Sequence, residues 1–207
     1  DYPVSKLAIH IACPNGLAED VEKLRSAIPL RVWQHPLASV PEGQLMAWTI
    51  DRVLASGNPG LLVFLKPGDM VKPEFLLNVA SKAYDHPVIQ GYVATRSYFG
   101  GALNAWVSLA SRLKNRIQVA GRFHAGLHVP LLATGFAIRP DVLERLPFLR
   151  NGEMDNTEYG LILALKGIPI AWSPNVVVYR RDPRSWLNWV GDVSKDVLER
   201  IRLTLAY

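Results

Sequence analysis

The chemistry available to this chain is concentrated in a few short groups of residues. Lys66-Pro67-Gly68-Asp69 follows the apolar run Leu61–Leu65 and sets a cation and a carboxylate into one turn at a strand's end. An ammonium there can pair with a phosphate, or it can stand solvated in an ordinary loop. Asp69 can take a ribose hydroxyl or a residual metal, or it can cap the helix that begins near Pro73. Asp155, Asn156 and Glu158 open another helix, where acids and amides serve capping and the helix dipole as readily as proton transfer. Arg122 and His124, with His128 beyond them, fall in and beside a Gly/His-rich stretch, Gly121–Leu127, and suit a pocket for an anionic acceptor. The two histidines have no obvious third partner and do not have metal-ligand spacing on a helix. Thr134-Gly135 pairs a hydroxyl with a glycine of the close-packing kind. Cys13 is the only cysteine, which excludes a disulfide framework and a cysteine zinc site and leaves a small buried hydrophobe.

These groups need elements to position them. Lys6–Ala12 reads as a strand closed by the turn Pro14-Asn15-Gly16, and Ala18–Ile28 has helical spacing. Leu30–Trp33 is a second strand, Gln44–Ala55 a helix by period, and Leu61–Leu65 a buried strand. Pro73–Ala83 is a helix with proline in its first turn, and Val88–Ala94 a further strand. Strand and helix in alternation predict crossover connections and an α/β architecture: a mostly parallel sheet between two layers of helices. Ligands of such sheets bind at the carboxyl ends of the strands, which singles out the turns after Ala12, Leu65 and Ala94. Farther on, Ala102–Gln118 is a longer helix and Leu131–Ile138 is strand-like. Asp155–Lys166 is helical up to Gly167, and Ile168–Trp172 and Val176–Tyr179 are two short strands.

Four of these segments, in this order, resemble family 2 glycosyltransferases of the GT-A fold. Leu61–Leu76 (LLVFLKPGDMVKPEFL) is similar to the strand and Asp-x-Asp turn at the centre of that family. Pro41–Ile50 resembles its glycine-containing approach to a helix, and Leu132–Leu143 (LATGFAIRPDVL) its acceptor-region segment. Met154–Val178 resembles the Thr-Glu-Asp helix and the strand after it. The resemblance implies a three-layer α/β/α, Rossmann-like domain over residues 1–207. Residues 1–100 would hold the nucleotide-sugar, 101–182 the acceptor, and 183–207 would be a basic amphipathic tail. It also implies inverting transfer of a sugar to a hydroxyl of a glycan or lipid-linked acceptor, in the cytoplasm or at the inner face of the membrane. Pro14, Asn15, Lys66, Gly68 and Asp69 would lie on the donor side, and Arg122, His124, Thr134 and Gly135 on the acceptor side.

The departures from the family are specific. Lys66 and Gly68 stand where it places two metal-binding aspartates, so magnesium or manganese is disfavoured, no cofactor is expected, and Lys66 would take the metal's place at the diphosphate. Gln34-His35-Pro36 replaces the aspartate that reads the nucleobase. The catalytic base position falls on Asn156, whose amide cannot take a proton, with the carboxylates of Asp155 and Glu158 close by. The Gln-x-x-Arg-Trp motif of processive members is missing; Trp186, Trp189 and Gly191 occupy that neighbourhood. Together these losses leave a second expectation open, a GT-A-type pseudo-enzyme kept for binding or assembly. A nucleotidyltransferase is the weakest reading, for want of a glycine-rich phosphate loop near the first strand.

The whole sequence is consistent with a folded, ligand-binding domain. Of its 207 residues 49% are hydrophobic and 20% charged, which excludes disorder, and the formal charge of +5 fits an anionic ligand or membrane surface. Arg180, Arg181 and Arg184, followed by Trp186, Leu187 and Trp189, have the composition of a segment meeting anionic headgroups, or of a solvated helix with buried tryptophans. Nucleic acid is not expected as a partner, since the basic residues do not form a recognised module. No apolar run approaches a membrane span and no secretory signal is visible. The opening Asp1-Tyr2-Pro3 leads us to expect a piece of a longer protein, with targeting information outside it.

Overall fold

A computed structural model describes residues 2–16, 28–96, 101–148, 156–181 and 185–206. After a 3-10 turn at Val4–Lys6 come β1 (Ile9–Cys13), β2 (Leu30–Gln34), α1 (Glu42–Ser56), β3 (Leu62–Phe64) and β4 (Met70–Val71). Then follow α2 (Phe75–Ala83), β5 (Val88–Arg96) and α3 (Ala102–Leu113), which runs on through a π-helical stretch (Lys114–Val119) into α4 (Ala120–His124). β6 (Phe136–Ile138), α5 (Pro140–Arg145), α6 (Asn156–Leu165), β7 (Ile170–Arg181) and α7 (Trp186–Ala206) complete the described elements. The helix expected over Ala18–Ile28 falls almost wholly outside the described residues.

The α/β architecture stands, but strand directions are mixed where a mostly parallel sheet was expected. β1 and β2 form a parallel pair, Ile9 opposite Leu30 and Cys13 opposite Gln34. The main sheet has the order β3-β6-β5-β7-β4. β5 and β7 are parallel, while β6 runs antiparallel to both β3 and β5, and β4 antiparallel to β7. The reason lies in the connections. The excursion through α3 and α4 begins and ends at the same end of the sheet, so β6 re-enters running backwards.

Alternation along the strands supplies the two faces. Val88, Phe136 and Ile138 point to one side, where they meet Ala47 and Ile50 of α1, Leu143 of α5 and Leu163 of α6. Ile89, Ala137, Val176 and Val178 point to the other, under Phe75 and Val79 of α2. Each large apolar side chain so buried contributes roughly 1.5–3 kcal/mol.

Two details depart from the sequence reading for local reasons. β7 is one strand rather than two short ones; its pairing skips between Gly91, opposite Ser173, and Tyr92, opposite Val177, so Pro174–Val176 bulge without ending it. Gly91 is required there, because a Cβ would stand 2.4 Å from the Val176 carbonyl oxygen. The expected loop at Gly121–Leu127 is helical as far as His124. The extra residue of the π turn seats the buried Asn115 against β5. Its amide donates to the Val93 carbonyl at 2.8 Å and to that of Ser111 at 2.7 Å, and it accepts from Val93 N–H at 3.0 Å. That tether holds the helix on past the glycine.

Candidate functional site at the strand ends

The turn after β3 is built by its own residues. Gly68 has φ +88°, and with Pro67 before it this is the glycine position of a type II turn. Asp69 N–H donates to the Lys66 carbonyl at 3.0 Å, and Lys66 N–H donates back to Asp69 Oδ2 at 2.8 Å. Thr134 Oγ1 donates to the same carboxylate oxygen. Asp69 is thus a strut between its own turn and the strand-entry loop of β6. It does not cap α2, and Glu74, the residue at the N-cap position, makes no side-chain cap either. Lys66 Nζ lies 2.6 Å from Glu42 Oε1, at the first turn of α1. Glu42 is 62% exposed, so this is a solvent-screened pair that a doubly charged phosphate could displace.

The donor set here does not fit a hard divalent cation. One Asp69 oxygen already accepts two hydrogen bonds, and the neighbouring charge is an ammonium rather than a second carboxylate. Among the described residues no group of three or more His, Cys, Asp or Glu side chains converges on a common point.

Gln90, which the sequence reading passed over, organises this region. It is wholly buried in β5. Its amide donates to the carbonyls of Gly91 at 3.0 Å and Thr134 at 3.2 Å, and its oxygen accepts from Leu132 N–H at 2.7 Å. Gly135, at φ +71°, donates to the Phe64 carbonyl at 3.0 Å and accepts from Gly91 N–H at 2.8 Å. A Cβ at Gly135 would stand 2.9 Å from Val178 Cγ2. Thr134 and Gly135 are therefore joined to the Lys66 turn. The available signal was an uncharged amide in the middle of a buried apolar strand.

α6 is seated against the same loop. Tyr159 is fully buried, stacks on Phe148 at 4.0 Å and donates its hydroxyl to the Leu146 carbonyl at 2.7 Å. Burial pushes that phenol far above its usual pKa. Gly160 packs where a Cβ would be 3.1 Å from Leu131 N. Asn156, the first residue of the helix, is buried, and its Oδ1 has no hydrogen-bond partner among the described residues. Glu158 is half-buried two places on, and Asp155 lies outside the described residues.

The remaining candidates separate into two places. Pro14 and Asn15 follow β1, where Asn15 Oδ1 accepts from Gln34 Nε2 at 2.6 Å and Asn15 N–H donates to the Leu37 carbonyl at 3.1 Å. The buried His35 N–H donates to the Cys13 carbonyl at 2.9 Å, and its ring meets Trp48 edge-on at 4.9 Å. The carboxyl ends of β1 and β2 are thereby tied together and to α1, which also carries Glu42. A cleft of about 440 Å³ beside them is lined by His35, Gln44, Trp48, Asp51, Arg52 and Ala55. Arg122 and His124 sit at the end of α4. Arg122 Nε donates to the His128 carbonyl at 2.7 Å, and His124 meets the Trp172 ring at 6.3 Å. Burial and the Arg122 charge hold the His128 imidazole below its ordinary pKa. The indole N–H of Trp172 and the hydroxyl of Ser173 are buried without a partner among the described residues.

No protein-family model matches the chain, and no curated protein matches it in sequence. Solved structures do. S. aureus TarS 1-349, in complex with UDP-GlcNAc, superposes with a TM-score of 0.60 at 15% identity over 89% of this chain. Mannosyl-3-phosphoglycerate synthase from Rubrobacter xylanophilus gives 0.53 at 13% identity, over 97% of this chain and 75% of its own. A mycobacterial protein gives 0.51 at 16% identity, covering 86% of this chain and 58% of its own. This chain spans 52% of the TarS chain. At these identities the likeness is one of fold: the chain has the α/β fold of GT-A-type glycosyltransferases.

Proposed function

We propose that the chain binds a nucleotide-sugar at the carboxyl ends of β1, β2 and β3 and transfers its sugar, with inversion, to a hydroxyl of a glycan or lipid-linked acceptor. The observation that carries this reading is the Lys66 ammonium at the end of β3, on a turn braced by Asp69 and Thr134 and, among the described residues, engaged in a screened pair with Glu42. TarS, which shares the fold, holds UDP-GlcNAc, and this supports a donor of that class. The acceptor oxygen attacks the anomeric carbon as the bond from that carbon to the diphosphate breaks. The diphosphate leaves with the electron pair and meets Lys66 in place of a metal. The acceptor's proton goes to Asp155 or Glu158, while the unpartnered Oδ1 of Asn156 accepts a hydrogen bond from a sugar or acceptor hydroxyl.

A second reading, a binding or assembly module without turnover, is favoured by two observations. Lys66 and Asp69 are both engaged within the fold, and an amide stands at the head of α6. The test is a thermal-shift titration with UDP-, GDP- and dTDP-sugars, each with and without manganese. At a hundred times the dissociation constant a donor adds about 2.7 kcal/mol. For a domain of this size that is a rise of roughly 5–10 °C in Tm. We expect one donor to give that rise unchanged by EDTA and reduced in Lys66→Ala. Stabilisation that requires manganese would overturn the role of Lys66. No response to any donor would overturn donor binding, and multiple-turnover sugar transfer would remove the module reading.

A further inference from the structure

The helical stretch from α3 to α4 carries a surface that the proposed reaction does not use. Trp106, Leu109, Leu113 and Ile117 recur along one side of α3 and the π turn and are 58%, 47%, 48% and 68% exposed. The opposite side of the same helix is fixed to β5 by Asn115 and by the Ser111 hydroxyl, which donates to the Val93 carbonyl at 2.8 Å. The apolar row is therefore held outward and cannot rotate inward. Arg112 and Arg116 are exposed beside it, and no ion pair involves either among the described residues.

The charge pattern indicates what meets this face. From His86 to Pro140 the chain contains no aspartate or glutamate, while Arg96, Arg112, Lys114, Arg116, Arg122 and Arg139 fall within it. We propose that the face bearing Trp106, Leu109, Leu113 and Ile117 docks on an anionic lipid bilayer, the apolar row entering the headgroup boundary and Arg112 and Arg116 pairing with lipid phosphates. A second copy of the chain would bring two rows of arginine together, and a polysaccharide would leave the aliphatic row without an apolar partner. The inference stands independently of the glycosyl-transfer reading. It also moves the membrane contact away from the tail. Trp186, Val190 and Val193 are exposed on α7, but the sequence of that helix sets Asp192, Asp196 and Glu199 against Lys195, Arg200 and Arg202 and has no cationic excess. No described helix is long and apolar enough to cross a membrane.

The experiment is co-sedimentation of the full chain with vesicles of phosphatidylcholine alone or with about a third phosphatidylglycerol. Sedimentation with the anionic vesicles only, weakening as salt is raised, is the expected result. Arg112→Ala with Arg116→Ala should lower partitioning roughly 30-fold, about fivefold per arginine, and Leu113→Asp with Ile117→Asp should abolish it. Three results would overturn the proposal: no binding, equal binding to both vesicles, or loss of binding on Val190→Asp with Val193→Asp while the α3 variant still binds. A wild-type dimer that Leu113→Asp with Ile117→Asp converts to monomer would also overturn it, in favour of a second copy. Should the α3 variant not fold, quenching of the wild-type fluorescence by brominated phosphatidylglycerol decides. The quenching should fall in Trp106→Phe, and an unchanged value would sink the idea.

Discussion

Replacing Gln90 by leucine tests whether one buried amide holds the candidate site together. The side chain is fully buried and bonds four backbone groups: Leu132 N–H at 2.7 Å and the carbonyls of Gly91 at 3.0 Å, Thr134 at 3.2 Å and Gly135 at 3.4 Å. Leucine fills nearly the same space but leaves Leu132 N–H without its acceptor and Thr134 without its donor. A buried polar group stripped of its partner costs about 1–3 kcal/mol, so the two losses sum to about 2–6 kcal/mol. The more apolar side chain returns part of this, and we expect a net destabilisation of about 3 kcal/mol. In urea, with slopes of about 1–3 kcal/mol per molar, the midpoint should fall by about 1 M or more. Gln90→Glu is the companion. It keeps an oxygen for Leu132 but turns a second one toward the Gly91 and Thr134 carbonyls. Burial and those carbonyls raise its folded pKa above the ordinary value of about 4.3, so its penalty is absent below that pH and grows as pH rises toward the folded pKa. Acidification from pH 7 should therefore narrow its gap from wild type. A leucine variant within about 0.5 kcal/mol of wild type, or a glutamate variant whose gap ignores pH, would show that this network does not hold the loop.

Two further expectations follow from the same geometry. Gly91→Ala should unfold the chain or displace the bulge of β7, since its Cβ would sit 2.4 Å from the Val176 carbonyl; an unchanged urea midpoint would contradict the packing at that bulge. Stability should also fall on mild acidification. His10 Nδ1 accepts from Trp33 Nε1 at 2.8 Å, and burial, with the Arg31 charge second, holds its imidazole below the ordinary value. Its contribution is complete above about pH 6.5 and is lost as pH falls from there toward the folded pKa, with His128 shifted in the same direction. Tm measured from pH 7.5 to 5.5 should drop, and drop less steeply in His10→Phe; parallel curves would refute the role of His10.

The family resemblance rested on segments whose order the structure keeps. β3 followed by the Lys66 turn, the Thr134–Gly135 entry to β6 and the helix opening at Asn156 were all legible, because strand period, turn residues and helix starts are local properties. Local reading placed their boundaries less well where packing decides. The helix through Gly121 survives because Asn115 tethers it to β5, and β7 survives Pro174 because the bulge absorbs it. Strand direction was not legible, since it depends on where a long excursion re-enters the sheet and no local pattern records that.

What the sequence determined by itself was residue type: a lysine and a glycine at the positions where the family resemblance implies a metal-binding pair, and an amide where it implies a base. Only the tertiary structure decided how those groups are used. Asp69 could have been read as a cap or as a ligand. It is a strut, because a loop 65 residues away brings Thr134 to its carboxylate. Lys66 could have been a solvated side chain, yet α1 presents Glu42 to it. Gln90 was not singled out in the sequence; burial in β5 brings its amide to the β6 loop as well as to the carbonyl of Gly91 beside it. Such pairings arise from long-range packing, which removes water and obliges each buried polar group to find its partner within the protein.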